Sequence, residues 1–382
     1  MWAYVGKRII QMMITLLLFQ AATFALLELQ PIDIADLLTG NPDIPPAERD
    51  RLRAELGLDR PPVERFISYV GNFYRGNLGV SFSQYPRAVS EIIVERLPRT
   101  LVLFVSAVAL SYWAGYVTGK YLAWRRGGFV EYGATLVGVT LYTVFLPWFA
   151  LMMIWLFAVY LDLLPAGKFL DPLKWLNAEV TANSVFLQLI WSALLIIVVA
   201  FIGFLISSRV EHRYRKLIRI ASIVLPFAGV IFYWSSSGIG ELAWDITKHT
   251  ILPVLTLTLV AFGGSMLLMR TSMLETVRED YILSARAKGL PDNVIRDKHA
   301  ARNALLPLWT GLVFAIGAAV GGGIITEAIF SWPGLGRTLL NASLVNDVPL
   351  AMGALTVIGV LTLVSHLVAD IGYVFLDPRI RY

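Results

Sequence analysis

The segment Phe186–Ser207, FLQLIWSALLIIVVAFIGFLIS, contains no charged residue and decides the fold class. A helix of about 20 apolar residues, rising about 1.5 Å per residue, crosses the hydrocarbon core of a bilayer, which is roughly 30 Å thick. The sequence therefore predicts an all-α polytopic membrane protein with about eight transmembrane helices. The other apolar runs of comparable length lie at 9–29, 99–123, 132–160, 218–236, 251–274, 305–329 and 350–375.

The composition excludes an ordinary soluble domain. Of 382 residues, 57% are hydrophobic and only 15% are charged, whereas soluble domains carry about 25% charged residues. The chain contains no cysteine, which excludes disulfides, thiolate metal sites and thiol nucleophiles together. The function of the protein therefore depends on its helices, its loops and its partners.

The N-terminal part is expected to divide into a membrane helix and a polar region. Lys7 and Arg8 precede the first apolar run, as in a signal peptide, but that run exceeds the 7–15 residues of a typical signal core. We therefore expect an uncleaved transmembrane helix over residues 1–29. Residues 30–98 are expected to form an extracellular loop region with short helices, at 47–58 and near Phe66–Tyr74. Residues 99–382 then form the main transmembrane domain.

Lysine and arginine are distributed unevenly between the short loops, and the richer side is normally cytoplasmic. The opposite side holds only Lys168, Lys174 and Lys248. We expect both termini and the 275–304 loop to be cytoplasmic, and we attribute the net charge of +5 to this asymmetry, not to nucleic-acid binding. The basic side collects Lys7, Arg8, Arg125, Arg126, Arg209, Arg213, Arg215, Lys216, Arg219, Arg379 and Arg381, besides the basic residues of that loop.

The 275–304 loop is predicted to form a helix, a sharp turn and a second helix. Ala285, Ala287 and Gly289 are small residues at which another surface can approach closely, and Gly289 followed by Pro291 is typical of a tight turn. A rigid lever of this kind transmits force to the membrane helices, whereas a flexible linker does not. The spacing alone is equally compatible with an ordinary loop whose charges are solvated.

No catalytic or cofactor-binding constellation occurs in the sequence. The histidines are scattered, without a second ligand at metal-site spacing, and no phosphate-binding glycine loop is present. We therefore expect the chain to be no enzyme by itself and to bind no cofactor or metal. If the protein is driven by ATP, another polypeptide must supply the ATPase.

The loop resembles the EAA loop of ABC importer permeases, in the form found in the oligopeptide/dipeptide permease family. That family carries A-R-A-K-G-L followed by H-x-x-R-N-A-x-x-P, and Leu283 stands where other importers have the glutamate. In this chain the matching residues are Ala285, Arg286, Ala287, Lys288, Gly289 and Leu290, then His299, Arg302, Asn303, Ala304 and Pro307.

Other stretches agree with the same family. The segment 327–336, EAIFSWPGLG, resembles its E-x-x-F-x-x-P-G-L-G motif, and the tail from Asp370 resembles its C-terminal pattern. The segments Gly76–Ser81 and Arg96–Leu101 resemble its first extracellular loop and the start of its second helix. The resemblance covers the chain except for about 175–245, which would be a helical hairpin inserted into a six-helix core.

The resemblance implies a permease subunit that forms half of a translocation pathway for peptides or similar solutes. An extracellular or periplasmic binding protein would deliver the solute, and two cytoplasmic ATPases would bind ATP and Mg. The second permease subunit would be a paralogue, and the complex would lie among the lipids of a prokaryotic inner membrane.

The resemblance also implies roles for particular residues. Ala285, Ala287, Gly289 and Leu290 would contact an ATPase, while Arg286 and Lys288 would pair with its acidic residues. An external gate turn would involve Glu327, Phe330, Trp332, Pro333, Gly334 and Gly336. Tyr142, Pro147 and Trp148 are candidates for pathway lining.

Several alternatives remain open at this point. Relatives within the family carry oligosaccharides or metal complexes instead of peptides. From other classes, the chain could be an ion-coupled secondary transporter, which would require inverted repeats and buried carboxylates, or a membrane scaffold that recruits cytoplasmic partners.

Overall fold

The computed structural model describes residues 2–28, 51, 61–320 and 323–376. Apart from one isolated bridge between Val80 and Ala88, the regular structure of these residues is helical. The helices are α1 (Trp2–Glu28), α2 (Pro62–Tyr74), α3 (Val89–Trp124), α4 (Phe129–Thr143), α5 (Leu146–Ile154), α6 (Ala182–Arg209), α7 (His212–Ser236), α8 (Gly240–Thr276), α9 (Asp280–Ala287), α10 (Asp292–Val294), α11 (Ala301–Val320), α12 (Ile324–Ile329), α13 (Leu335–Leu344) and α14 (Val348–Leu376). Two π-helical segments, Trp155–Tyr160 and Ile295–Ala300, continue α5 and α10.

The described residues contain seven helices that are long and apolar enough to cross a membrane, or eight if one bent pair counts as a span. The predicted all-α polytopic fold is thereby confirmed. The bent pair is the predicted span 132–160, in which α4 and the helix Leu146–Tyr160 meet at 106°. Pro147 is the second residue of α5, where its missing N–H breaks no helical hydrogen bond. Pro147 therefore lies in the first turn of a helix and not in a helix interior.

Within the predicted span 305–329 the structure describes two helices, α11 up to Val320 and the short α12 from Ile324. Residues 321 and 322 between them lie outside the described residues. The predicted boundary at 99 falls inside a helix, since α3 begins at Val89.

The described part of the chain divides into two compact units, of which the first comprises Met1–Met153 with Pro253–Tyr382. In this unit α1 packs against α14. Arg8 Nε lies 2.6 Å from Asp370 Oδ2, and Gly359 lies so close to Phe19 that a Cβ there would be 3.0 Å from its ring. Asp370 thus pairs with α1, although His366 lies one helical turn before it on α14. The His366 ring instead contacts Phe314.

Glycines allow α8 to approach α3 and α4 closely. A Cβ on Gly115 would lie 2.2 Å from Ser265 Oγ, and one on Gly119 would lie 2.6 Å from the Met266 carbonyl. On the other side, a Cβ on Gly263 would lie 2.3 Å from the Gly138 carbonyl. Close backbone contact through small residues is a common way of packing membrane helices, where lipid offers no hydrophobic driving force. It fixes α8, which leads directly into the 275–304 loop.

The second unit comprises Ile154–Leu252 and contains the hairpin predicted at about 175–245. Its helices α6 and α7 pack with Gly203 against Ser222. At the start of α8 the buried carboxylate of Asp245 accepts hydrogen bonds from the Asp171 amide at 2.9 Å and from Trp175 Nε1 at 3.1 Å. That the hairpin is an insertion stays a prediction.

The polar region 30–98 is described from Pro61 onward, with Arg51 before it. α2 confirms the helix predicted near Phe66–Tyr74, while the helix expected at 47–58 lies outside the described residues apart from Arg51. Burial raises the pKa of the Tyr69 hydroxyl, which shares a 2.6 Å hydrogen bond with Thr356 of α14.

Further along this region, the buried carboxylate of Asp347 binds the loop before α3. Its Oδ2 accepts hydrogen bonds from Ser81 Oγ at 2.5 Å and from the Ser83 amide at 2.9 Å. The segment between α2 and α3 is therefore fastened to the start of α14.

Candidate functional site: the coupling loop and the Trp332 turn

The loop at 275–304, called the coupling loop below, has the predicted helix and sharp turn. Helix α9 ends at Ala287, and Gly289 adopts a φ of +72°. This left-handed conformation is strained for most residues but not for glycine. The Gly289 amide donates to the Arg286 carbonyl at 2.9 Å, and the Leu290 amide donates to the Ala285 carbonyl at 3.4 Å. The turn thus closes with its backbone groups paired.

The base of the coupling loop is buried in the protein's own core. Ile282 and Ala285 of α9 are 1% and 5% exposed. Leu290 packs against the same cluster from its edge. The cluster joins α8, α9, the π-helix and α11 through Met269, Met273, Ile282, Ala285, Ile295, Ala300, Ala301, Ala304 and Leu308.

Polar contacts fasten this base further. Ser272 Oγ of α8 donates to the Ala304 carbonyl at 2.9 Å. Asn303 Nδ2 donates to the Tyr281 hydroxyl at 2.8 Å, and Lys120 of α3 lies 3.0 Å from Asp297 of the π-helix. Movement of α9 must therefore be shared by α3, α8 and α11, since interiors packed at this density transmit displacement.

The second half of the predicted motif lies in a helix that continues without a break. Residues from Asp292 to Val320 are helical throughout, so Pro307 lies inside α11 and not at its start. His299 is half-buried, while Arg302, Asn303 and Pro307 are exposed. The motif positions around Ala304 thus serve both the buried base and an exposed surface.

The tip of the coupling loop points away from the core. Arg286, Ala287, Lys288 and Gly289 are exposed, and so is Leu283, with 68% of its surface accessible. The Arg286 guanidinium stands 5.8 Å from the ring of Trp124 at the end of α3, within range of a cation–π contact. Ala285 was expected to contact a partner, but the structure buries it. The accessible surface is therefore formed by its neighbours on either side.

An intramembrane ion pair near the coupling loop was missed by sequence reasoning. Arg270 of α8 donates to Glu131 Oε1 through Nε at 3.0 Å and through Nη2, and the Gly127 amide donates to Glu131 Oε2 at 2.8 Å. Glu131 is 3% exposed. A carboxylate at the start of an apolar run was the available signal, because such residues need a partner in the membrane.

The predicted gate motif forms a fully packed turn, called the Trp332 turn below (Glu327–Gly336). Glu327 is 0% exposed. Its Oε1 accepts from Thr100 Oγ1 of α3 at 2.7 Å, and its Oε2 accepts from the Arg337 amide at 2.8 Å. Thr100 Oγ1 in turn accepts from the Leu335 amide at 2.7 Å. Because Glu327 is buried, its carboxyl pKa is raised above the usual range.

Aromatic residues and close glycines complete this turn. Phe330 and Trp332 are both 0% exposed, and Trp332 Nε1 donates to the Arg99 carbonyl at 3.2 Å. A Cβ on Gly334 would lie 2.3 Å from Glu327 Oε1 and 2.5 Å from Thr100 Oγ1. Only glycine fits at this position. Pro333 is half-buried and Gly336 is buried, so all the predicted gate residues are gathered here.

The residues predicted to line a pathway flank the bend between α4 and α5. Tyr142 is 62% exposed and Trp148 is 54% exposed. Part of the Tyr142 ring lies against Gly264, where a Cβ would be 3.0 Å from it. The part of the chain that the structure describes contains no group of three or more His, Cys, Asp or Glu side chains placed to hold a metal ion.

Comparison with known proteins identifies the family of this chain. A family model described as "binding-protein-dependent transport system inner membrane component" matches residues 216–382, and the model of the N-terminal part of such components matches residues 1–104. The chain is 32% identical to a putative peptide permease of Brucella suis, over 94% of this chain and 92% of the relative. This chain belongs to the family of binding-protein-dependent transport permeases.

Other relatives of the permease have similar names. The dipeptide transport system permease of Escherichia coli is 30% identical, over 94% of this chain and 93% of the relative. The oligopeptide transport system permease of Bacillus subtilis is 28% identical over 100% of both chains. The resemblance inferred from the coupling loop is confirmed: the chain is a multi-pass membrane component of an ABC importer. An importer of this kind includes a substrate-binding protein and ATPase partners.

Proposed function

We propose that this permease forms half of the pathway of an ATP-driven importer for peptides. The peptide, dipeptide and oligopeptide systems named for its relatives support this substrate class. The observation that carries the proposal is the coupling loop, whose tip is exposed while its base is buried. An exposed tip on a rigid base is what a protein needs in order to receive force from a partner.

The tip is the ATPase contact in this proposal. Ala287, Gly289 and the exposed Leu283 enter a groove on one ATPase, while Arg286 and Lys288 pair with acidic residues beside it. Ala285 and Leu290 act from beneath, as packing residues that hold the tip in place. His299 belongs to the π-helix that joins the tip to α11, and Arg302, Asn303 and Pro307 belong to the first turns of α11 itself.

Force then passes from the tip to the membrane helices. When two ATPases close on ATP and Mg, α9 moves with them. The cluster around Met269 and Met273 carries that movement into α8 and α11, and the Lys120–Asp297 ion pair carries it into α3. The chain itself contributes no ATP-binding group, and ATP hydrolysis belongs to its partners.

The remaining assignments rest on charge, on exposure and on the resemblance to the permease family. Both termini and the coupling loop lie in the cytoplasm of a prokaryotic cell, in keeping with the positive-inside rule. A second permease subunit, a paralogue, completes the pathway beside this chain, and lipids cover the exposed apolar faces of α6 and α7. The Trp332 turn stands at the external gate, and the exposed rings of Tyr142 and Trp148, with Pro147 between them in the bend, are candidates for pathway lining.

Replacing Gly289 by Asp tests the proposal. The Asp puts a charged side chain at the tip, where a Cβ meets nothing of the chain within 4 Å. We expect the ATPase recovered with the tagged chain from native membranes to fall about tenfold, equivalent to about 1.4 kcal/mol. Gly238→Asp is the matched control, because Gly238 has the same φ of +72°, equally open surroundings and a place outside the loop.

Two results would count against the proposal. Recovery of the chain with no ATPase partner would remove the ABC importer mechanism. Equal recovery of an ATPase with both variants would show that the coupling loop is not the contact.

A further inference from the structure

A polar cavity of about 230 Å³ lies between the loop before α3, α3 itself and α13. Arg96 of α3 and Arg337 of α13 both line it, together with Gln84 and Asn341. No acidic side chain is among the residues that line it. Two guanidinium groups facing one small cavity without a carboxylate are an unusual arrangement, because like charges repel at short range.

Neither guanidinium is well paired within the described residues. Arg96 makes only contacts of 3.5 Å, from Nη1 to the Pro333 carbonyl and from Nη2 to Glu95, and its buried Nε has no hydrogen-bond partner there. The Arg337 side chain forms no ion pair within 4.0 Å in the described part of the chain. Both groups therefore retain donors for a ligand.

The acids nearest the cavity are already engaged. Glu95 pairs with Arg87 at 2.6 Å and with Arg99 at 2.9 Å. Glu327 and Asp347 are buried in the hydrogen bonds described above. The positive charge of the cavity is therefore only partly compensated, because Glu95, 3.5 Å from Arg96, is shared with Arg87 and Arg99.

The other polar groups of the cavity also favour an anion. Gln84 Oε1 accepts from Arg87 Nη1 at 3.2 Å, which leaves the side-chain NH2 group of Gln84 as a donor. Asn341 is exposed at the rim. A planar guanidinium matches a carboxylate through two parallel hydrogen bonds, which is why arginine is favoured for recognising this group.

The cavity faces the membrane side opposite the coupling loop. Arg96 and Lys120 both lie on α3, separated by about 36 Å at 1.5 Å per residue, which exceeds the hydrocarbon core of roughly 30 Å. Lys120 is the residue paired with the coupling loop. If the coupling loop is cytoplasmic, as the proposed function requires, the cavity opens on the outer face, where the binding protein must dock.

The size of the cavity narrows the choice of ligand. Sites for whole small molecules usually measure about 300–1,000 Å³, and this cavity is smaller. It matches one inserted side chain. We propose that the Arg96–Arg337 cavity receives the carboxylate of an Asp or Glu side chain of the substrate-binding protein and anchors its docking. This inference rests on the proposed function and assigns a partner contact on the outer face.

The test uses the transporter assembled with its own ATPases and second permease subunit, in lipid nanodiscs. The affinity of its peptide-loaded binding protein is measured for the wild type and for Arg337→Gln. We expect binding to weaken about tenfold or more, as for an interface anchor, and to weaken less steeply with salt. Arg75→Gln, which removes the same charge from an exposed residue just after α2 and outside the cavity, should change it less than about twofold.

A second variant guards against misfolding of the first. Asn341→Asp places a carboxylate at the exposed rim, where it competes with the incoming one without removing any arginine contact. It should weaken binding in the same direction as Arg337→Gln. The yield of assembled complex reports on folding in each case.

Each other outcome overturns the inference in a distinct way. Unchanged affinity in both variants removes the docking role. Unchanged affinity with lost discrimination between free and C-terminally amidated peptides would assign the cavity to the cargo. An effect seen only with anionic lipids in the nanodisc would assign it to a lipid phosphate. A wild-type complex that contains no ATPase would instead refute the proposed function itself.

Discussion

The coupling loop and the Trp332 turn match two motifs of the same permease family, but they use their residues in opposite ways. In the coupling loop, Arg286, Ala287, Lys288 and Gly289 are exposed, and only the residues beneath them are buried. In the Trp332 turn, Glu327, Phe330 and Trp332 are completely buried. At the tip of the first region the charged side chains of Arg286 and Lys288 are exposed, whereas in the second region the carboxylate of Glu327 is paired inside the protein.

The difference shows that glycine has two distinct roles in these motifs. A glycine with a positive φ at an exposed tip serves backbone geometry and leaves room for another protein, as at Gly289. A glycine with a negative φ, at which an added Cβ would lie within 2.5 Å of other side chains, serves the chain's own packing, as at Gly334. Substitutions should therefore damage coupling in the first region and folding in the second.

The largest effect is expected for two alanines of α9, of which Ala285 is buried and Ala287 is exposed. Ala285→Asp places a charge in the buried cluster and should destabilise the protein by about 3 kcal/mol or more, because a buried unpaired charge is costly. Ala287→Asp, on the exposed side, should leave stability within about 0.5 kcal/mol but lower ATPase recovery about tenfold. Detergent-solubilised yield and thermal unfolding measure stability, and co-purification measures coupling.

The distinction between buried and exposed positions fails if the two variants behave alike or if their results are exchanged. A stable Ala285→Asp protein would mean that α9 is not held by its own core. Loss of folding in Ala287→Asp would mean that the tip is buried by the chain itself.

The next effect tests the packing role of the Trp332 turn. Gly334→Ala forces a methyl group into Glu327 and Thr100 and should cost about 1–3 kcal/mol of folding free energy, the range for overpacked sites. Gly71→Ala is the control, because nothing lies within 4 Å of a Cβ there and alanine favours the helix α2. The thermal unfolding midpoint of the assembled protein distinguishes the two variants, and equal midpoints would contradict the packing role.

The smallest effect concerns the charge on Glu327. Glu327→Gln replaces one acceptor oxygen by an amide NH2 group, a donor that faces an existing donor, and should cost about 1–2 kcal/mol. Because burial raises the pKa of this carboxyl, the folded protein prefers its protonated form. The wild-type advantage over Glu327→Gln should be largest below the ordinary glutamate pKa of about 4.3 and should decline as the pH rises through the raised pKa.

Unfolding midpoints of wild type and Glu327→Gln from pH 4 to pH 8 measure this trend. Glu91→Gln, which makes the same change at an exposed position on α3, is measured beside them as the control. An advantage that grows with pH would mean that the hydrogen bonds from Thr100 and Arg337 outweigh the burial.

Much of the architecture was predictable because the membrane imposes a single length scale. Apolar runs such as 186–207 and 350–375 correspond to helices α6 and α14. The helix and the glycine turn of the coupling loop were also predictable, because Gly289 and Pro291 restrict the backbone locally. Hydropathy failed where partner atoms decided the outcome, as in the charged first turns of α3, where Glu95 pairs with Arg87 and Arg99.

The sequence by itself determined the class of fold, the number of apolar spans and the family, since these depend on local composition and on motif residues. Only the tertiary structure decided that Ala285 is buried while Ala287 is exposed, and that Asp370 pairs with Arg8 instead of His366. It also brought Arg96 and Arg337 to one cavity. Burial and ion pairing depend on which helices pack together, and residues far apart in the sequence carry no local signal of that contact.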